Sequence, residues 1–211
     1  MATLEQIVYN IAENVGREHD QPFLERLRFM VPTYRSTLIR RDEEKGRKLD
    51  REFMQTLEEV ELEEVSSVTA EVAREECPRL RSKFKIPALV RLRDSSPIRA
   101  VTAMDGMKII HPIEFEAIRS ITFNRFIGHE PRYYMRGNHL WLINASAMES
   151  VQLEGIFDDP FKAELFNNPN ADILNMEYPV SRDFVQYITE LILKIEATPA
   201  DPTNDDVVIN E

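Results

Sequence analysis

Tyr178-Pro-Val-Ser-Arg-Asp-Phe-Val-Gln-Tyr-Ile-Thr-Glu-Leu-Ile-Leu-Lys194 is the stretch on which the reading of the fold turns. Ser181 is a favourable N-cap, Asp183 suits the positive end of the helix dipole, and Val180 can staple onto Val185. Phe184, Ile188, Leu191 and Ile195 fall at i, i+4, i+7 and i+11, with Val185 and Ile192 widening the stripe. Such a stripe must be buried, and its natural partners are the helices at the opposite end of the chain.

Those helices carry their own signals. Thr3 and Gln6 form a capping-box pattern ahead of Leu4, Ile7, Val8, Ile11 and Val15, and Gly16 is a suitable stop. Asp20 caps a second helix with Pro22 in its first turn, and Phe23, Leu24, Leu27, Val31, Leu38 and Ile39 supply its apolar face. Pro32 is expected to kink or split that helix after Met30. Near Gln55 the period changes. Val60-Glu61-Leu62-Glu63 alternates as a half-buried strand does. Asp105-Gly106 sits between two apolar runs, and Arg136-Gly137-Asn138 between two more, so both read as hairpin turns. Ser150–Phe157 reads as a further strand. The expected fold class is α+β: N-terminal helices and a returning C-terminal helix form a helical layer, with a central, mainly antiparallel β module. The expected parts are 1–52, helical; 53–160, β-rich; 161–196, turns and a C-terminal helix packing on the N-terminal helices; and 197–211, a mobile, Pro-rich acidic tail.

Composition narrows the function. The chain has 211 residues, 43% of them hydrophobic, and a net charge of −11. That charge argues against a dedicated nucleic-acid binder. A single cysteine, Cys77, excludes a disulfide framework within the chain and suits a reducing compartment. The first residues do not read as a signal peptide, and no apolar run has the length of a membrane span, so no membrane partner is expected. His19, His111, His129 and His139 show no metal-ligand spacing, and Cys77 has no identifiable histidine partner. The glycines form no phosphate cradle. No catalytic residue, cofactor or metal is expected. A small hydrolase using His129 or His139 is the enzymatic alternative, and the spacing lends it no support.

A reversal of charge is the most suggestive surface feature. Residues 58–76 are rich in glutamate, including Glu61, Glu63 and Glu64, while 79–93 carry Arg79, Arg81, Lys83, Lys85, Arg91 and Arg93 with no acid. The two blocks either pair within one subunit or form an acidic face on one copy that meets a basic face on the next. Tyr133, Tyr134 and Trp141 are either core or interface anchors.

Three blocks together carry a resemblance: Arg35-Ser-Thr-Leu-Ile-Arg-Arg-Asp42, Leu153-Glu-Gly-Ile-Phe-Asp-Asp-Pro160 and Tyr178-Pro-Val-Ser-Arg-Asp-Phe-Val185. The chain resembles virion structural proteins of tailed bacteriophages, particularly head-to-tail connector or adaptor proteins of crAss-like podoviruses. The likeness implies a non-enzymatic subunit of a homo-oligomeric ring of about twelve copies. It also implies a portal protein and downstream tail or connector proteins as partners, and genomic DNA passing through the channel without sequence-specific binding. The implied location is the neck of a virion assembled from protein made in the bacterial cytoplasm. Another tail-ring or head-completion component is the alternative.

Overall fold

The structure, a computed structural model, describes residues 2–65, 79–118, 130–145, 148–173 and 176–197. The expectations for Cys77, His129, the acids of 66–76 and the tail from 198 lie outside these residues.

Helix α1 (Leu4–Val15) opens with the reciprocal cap its sequence predicts: Gln6 N donates to Thr3 Oγ1 and Thr3 N to Gln6 Oε1. Gly16 closes it in the left-handed region at φ 69°. Helix α2 (Gln21–Glu44) is capped by Asp20, whose carboxylate accepts from Phe23 N. Of the two expected effects of Pro32, a kink or a split, the split does not occur: this helix runs unbroken for 24 residues. A proline inside a helix costs about 3 kcal/mol. Burial of Leu27, Val31, Leu38 and Ile39 on either side offsets it.

Seven strands follow: β1 (Gln55–Glu64), β2 (Arg79–Ser82), β3 (Ile98–Ala103), β4 (Ile109–Pro112), β5 (Arg132–Arg136), β6 (His139–Ile143) and β7 (Ser150–Gly155). They close into a barrel in the order β1-β2-β6-β5-β4-β3-β7. This overturns the expected fold class. The fold is centred on a closed seven-stranded barrel accompanied, among the described residues, by four helices, and not on a helical layer with an antiparallel sheet module. The ten-residue β1 makes closure possible. Gln55–Glu61 pairs with β7, and Leu62–Glu64 pairs with β2, so one strand serves both edges. A register shift between Leu57 and Val60 turns both side chains into the interior. The β4–β5 pair is parallel. Leu57, Val60, Leu80, Val101, Ile110, Tyr133, Leu140, Leu142, Val151 and Leu153 fill the barrel. The β3–β4 turn has Gly106 at φ 68°, and the two-residue β5–β6 turn has Gly137 and Asn138 both at φ 61°, the geometry that favours Gly and Asn in tight hairpins.

Helix α3 (Pro160–Asn167) leans on β1. Helix α4 (Arg182–Ala197) returns to α1 and α2. Ile188 and Ile192 form the fully buried spine of α4, and Phe184 meets Phe53 edge-on at 4.5 Å. Leu191 is only half-buried, and Ile195 is exposed instead of continuing the stripe. The helices join the barrel through Arg35. Its side chain is fully buried and donates to three main-chain carbonyls: Nε to Pro179 at 3.0 Å, Nη1 to Phe157 at 2.9 Å and Nη2 to Phe53 at 3.1 Å. One guanidinium thus binds the entry to β1, the exit of β7 and the approach to α4. Burial lowers its pKa, and burial beside it pushes the Tyr178 phenol well up.

Candidate subunit-contact surfaces

The barrel has two unlike ends. Val151, near the start of β7, pairs with Val60 on one side and Ala103 on the other. The far ends of β1 and β3, Glu64 included, therefore emerge together, away from the helices. At the opposite end Gly155 pairs with Gln55 and Ile98, beside the Arg35 junction.

The charged residues singled out in the sequence divide between these regions. On the barrel wall, Glu63 faces Arg81 across the β1–β2 ladder and forms an ion pair with it, and Glu61 pairs with Lys83 at 2.7 Å. The hydrogen bond to Glu61 raises the pKa of Lys83. All four residues are thus engaged within one chain. Arg81 also lies 5.7 Å from the Trp141 ring centroid, Trp141 stacks on Tyr134 at 5.9 Å, and Phe115 meets Tyr134 at 5.6 Å. Arg136 stands over Phe115. Of the three aromatics noted in sequence, Tyr133 faces the barrel core, whereas Tyr134 and Trp141 belong to this outer row.

Glu64 is exposed at the end of β1, and Arg79 opens β2 beside it. Arg91 and Arg93 are exposed elsewhere, on the segment leading to β3. That segment is held at the helical end. Val90 N donates to Ile156 O, Asp158 N to Ala88 O, and the Glu43 carboxylate at the end of α2 accepts from the backbone N–H of Arg93, Asp94 and Ser95 at 2.9–3.1 Å. These hydrogen bonds hold Glu43 below the usual carboxylate range. Among the described residues, no carboxylate pairs with the guanidinium of Arg91 or Arg93. The structure therefore brings Glu61, Glu63, Arg81 and Lys83 together and leaves Arg91 and Arg93 apart from Glu64.

Two apolar features were missed. The β3–β4 tip exposes Met104, Met107 and Ile109, with Met107 at 87%. On α2, Phe29 is 75% exposed at the lip of an open groove of about 420 Å³ between α2 and the start of α3. Each had a sequence signal: Met107 is a large apolar residue directly after a Gly turn, and Phe29 lies off the stripe that runs through Leu24, Leu27 and Val31.

His139 Nδ1 lies 2.8 Å from the Ser82 carbonyl, a cross-strand contact within the barrel wall. Among the described residues no cluster of His, Cys, Asp and Glu could hold a metal, and no helix is long and apolar enough to cross a membrane. Residues 6–208 match the profile of a crAss-like phage family described as phage tail ring protein 2. No curated protein matches the chain.

Proposed function

Since the chain belongs to the phage tail ring protein 2 family, whose members are structural ring components of the virion, we propose that it is one subunit of a neck ring that adapts the portal to the tail. In this reading about twelve copies close head to tail around the channel through which the genome leaves. DNA passes without being read, and the partners above and below are the portal and a further tail ring. The work is interface formation and involves no bond chemistry.

The observation that carries this reading is the separation of charge between the ends of the subunit. A head-to-tail contact needs two different patches on one chain, each complementary to the other. Glu64 stands at the end remote from the helices, and Arg91 and Arg93 at the helical end, their guanidinium groups without a carboxylate partner among the described residues. Glu61, Glu63, Arg81 and Lys83 brace the wall that carries Glu64, with Arg79 next to it.

The test is the mass of the purified protein in solution together with an image of the virion neck. The wild type should give a ring that matches density between portal and tail. The double reversal Arg91→Glu/Arg93→Glu should yield folded monomers, and Glu64→Arg added to it should restore some assembly. Higher salt should weaken the contact, since screening acts over about 10 Å at 0.1 M. A double reversal that assembles as the wild type does would refute the charge contact. Neck density that the subunit does not fit would refute the placement.

A further inference from the structure

We propose that the β3–β4 hairpin tip of one copy seats in the α2–α3 groove of the next. This rests on the ring reading above and adds to it a specific joint.

The hairpin is built as a knob. It projects Met104, Met107 and Ile109 into solvent at the end of the barrel away from the helices. Exposed apolar residues clustered on a tip mark an interaction site more often than isolated ones do. The tip is also rigid. Asp105 Oδ1 accepts from Met107 N at 3.0 Å, Gly106 N donates to Ala103 O at 2.8 Å, and Ala103 N to Lys108 O at 3.0 Å. A preorganised tip loses little conformational entropy on docking.

The groove is the matching socket. Phe29, Pro32 and Phe161 supply its apolar surface, and its volume is about 420 Å³. Pro32 has no N–H, so the carbonyl of the groove residue Arg28 lacks its helical donor. The Lys108 ammonium of an incoming tip can supply a hydrogen bond there or to Asp158. Arg28, Arg40 and Lys162 rim the groove already paired with Glu5, Asp158 and Asp159, and Asp105 and Glu64 at the tip's end of the barrel stand with Lys108 and Arg79, so the joint rests on its apolar faces. Arg91 and Arg93 lie close by, because residues 88–90 pair with 156–158, which run directly into the groove wall. The knob and the charged residues of the proposed ring contact therefore share an end, and so do the socket and its arginines.

A second copy is the occupant that these facts favour. Knob and socket lie at opposite ends of one chain. Each is unpartnered among the described residues, and a ring family requires every subunit to offer both halves of one contact.

The experiment is disulfide trapping in the full-length protein carrying Cys77→Ser. Met107→Cys and Thr33→Cys, placed in the same chain, should give a ladder of covalent oligomers on oxidation. Either cysteine alone should not. Met107→Asp and Phe29→Asp should each lower the assembled fraction by at least tenfold, with the melting temperature of the monomer unchanged because both side chains are exposed. A Cys77→Ser protein that forms rings without the Met107–Thr33 ladder, or rings that survive both aspartate variants, would overturn the joint alone. A wild-type protein that stays monomeric at all concentrations, in virions whose neck shows no such ring, would overturn the ring reading and the joint together.

Discussion

Replacing Arg35 by methionine tests the junction between helices and barrel. Methionine keeps most of the side-chain volume and removes the guanidinium. The buried carbonyls of Phe53 and Phe157 and the partly buried carbonyl of Pro179 then lose their donor. A hydrogen bond to a charged group contributes about 1.5–3 kcal/mol, and an orphaned buried acceptor costs about 1–3 kcal/mol. Three of them set a gross loss of about 5–9 kcal/mol. Against this, the variant no longer desolvates a fully buried cation, which recovers several kcal/mol. The net expectation is a destabilisation of about 3–5 kcal/mol, or roughly 10 °C in melting temperature for a chain of this size. Arg35→Lys should lose a little less, because one ammonium cannot span three carbonyls from separate segments. The assay is urea denaturation followed by circular dichroism, with the m value as a check that the unfolded state is unchanged. An Arg35→Met protein as stable as the wild type would show that the guanidinium is net neutral and that packing alone holds the junction.

Two further outcomes follow from the structure. Ile192→Ala, at a fully buried site on α4, should cost about 2–5 kcal/mol by thermal denaturation, and Leu191→Ala, half-buried, roughly half as much; equal costs would place the helix in a different rotation. Glu43 and Glu5 both have folded pKa values below their ordinary range, Glu43 through loop N–H groups and Glu5 through Arg28. Their contribution is complete above pH of about 4.5 and is lost as pH falls through the lower folded value. Protection factors at Arg93–Ser95, corrected for intrinsic exchange, should therefore fall as pH drops through the lowered folded value, and Glu43→Gln should produce the same loosening at neutral pH. Unaltered exchange in that variant would refute the clamp.

Much of the local architecture is legible in the sequence. The Thr3–Gln6 box, the Asp20 cap and the Gly106 and Gly137-Asn138 turns act within a few residues, and each sits where its chemistry predicts. Barrel closure does not announce itself, because it depends on Gln55–Glu61 meeting Ser150–Gly155, a pairing no local pattern encodes. The parallel β4–β5 pair is equally non-local. Pro32 does not split its helix, because tertiary burial on either side outweighs the missing hydrogen bond. At the candidate contact, the charged residues are visible in sequence, but their partners are not. The β1–β2 register gives Arg81 to Glu63, and the Glu43 clamp sets Arg91 and Arg93 at the other end of the subunit. Nor does periodicity reveal that Arg35, in the middle of a helix, is the most deeply committed polar group.

The double duty of β1 bears on how the chain is made. Synthesis delivers this strand early, yet its first half finds its neighbour only once Ser150–Gly155 has left the ribosome. Until then one edge of the nascent barrel has no partner, and Arg35 awaits acceptors at residues 157 and 179. Closure of the barrel therefore comes late, with the slow rates that distant pairings bring. Nascent chains crowded on one message carry the same open edge at the same time. The interval between translation of β1 and of β7 is thus the period in which a chaperone has most to protect, and in which the open strand edge is most exposed to associating wrongly.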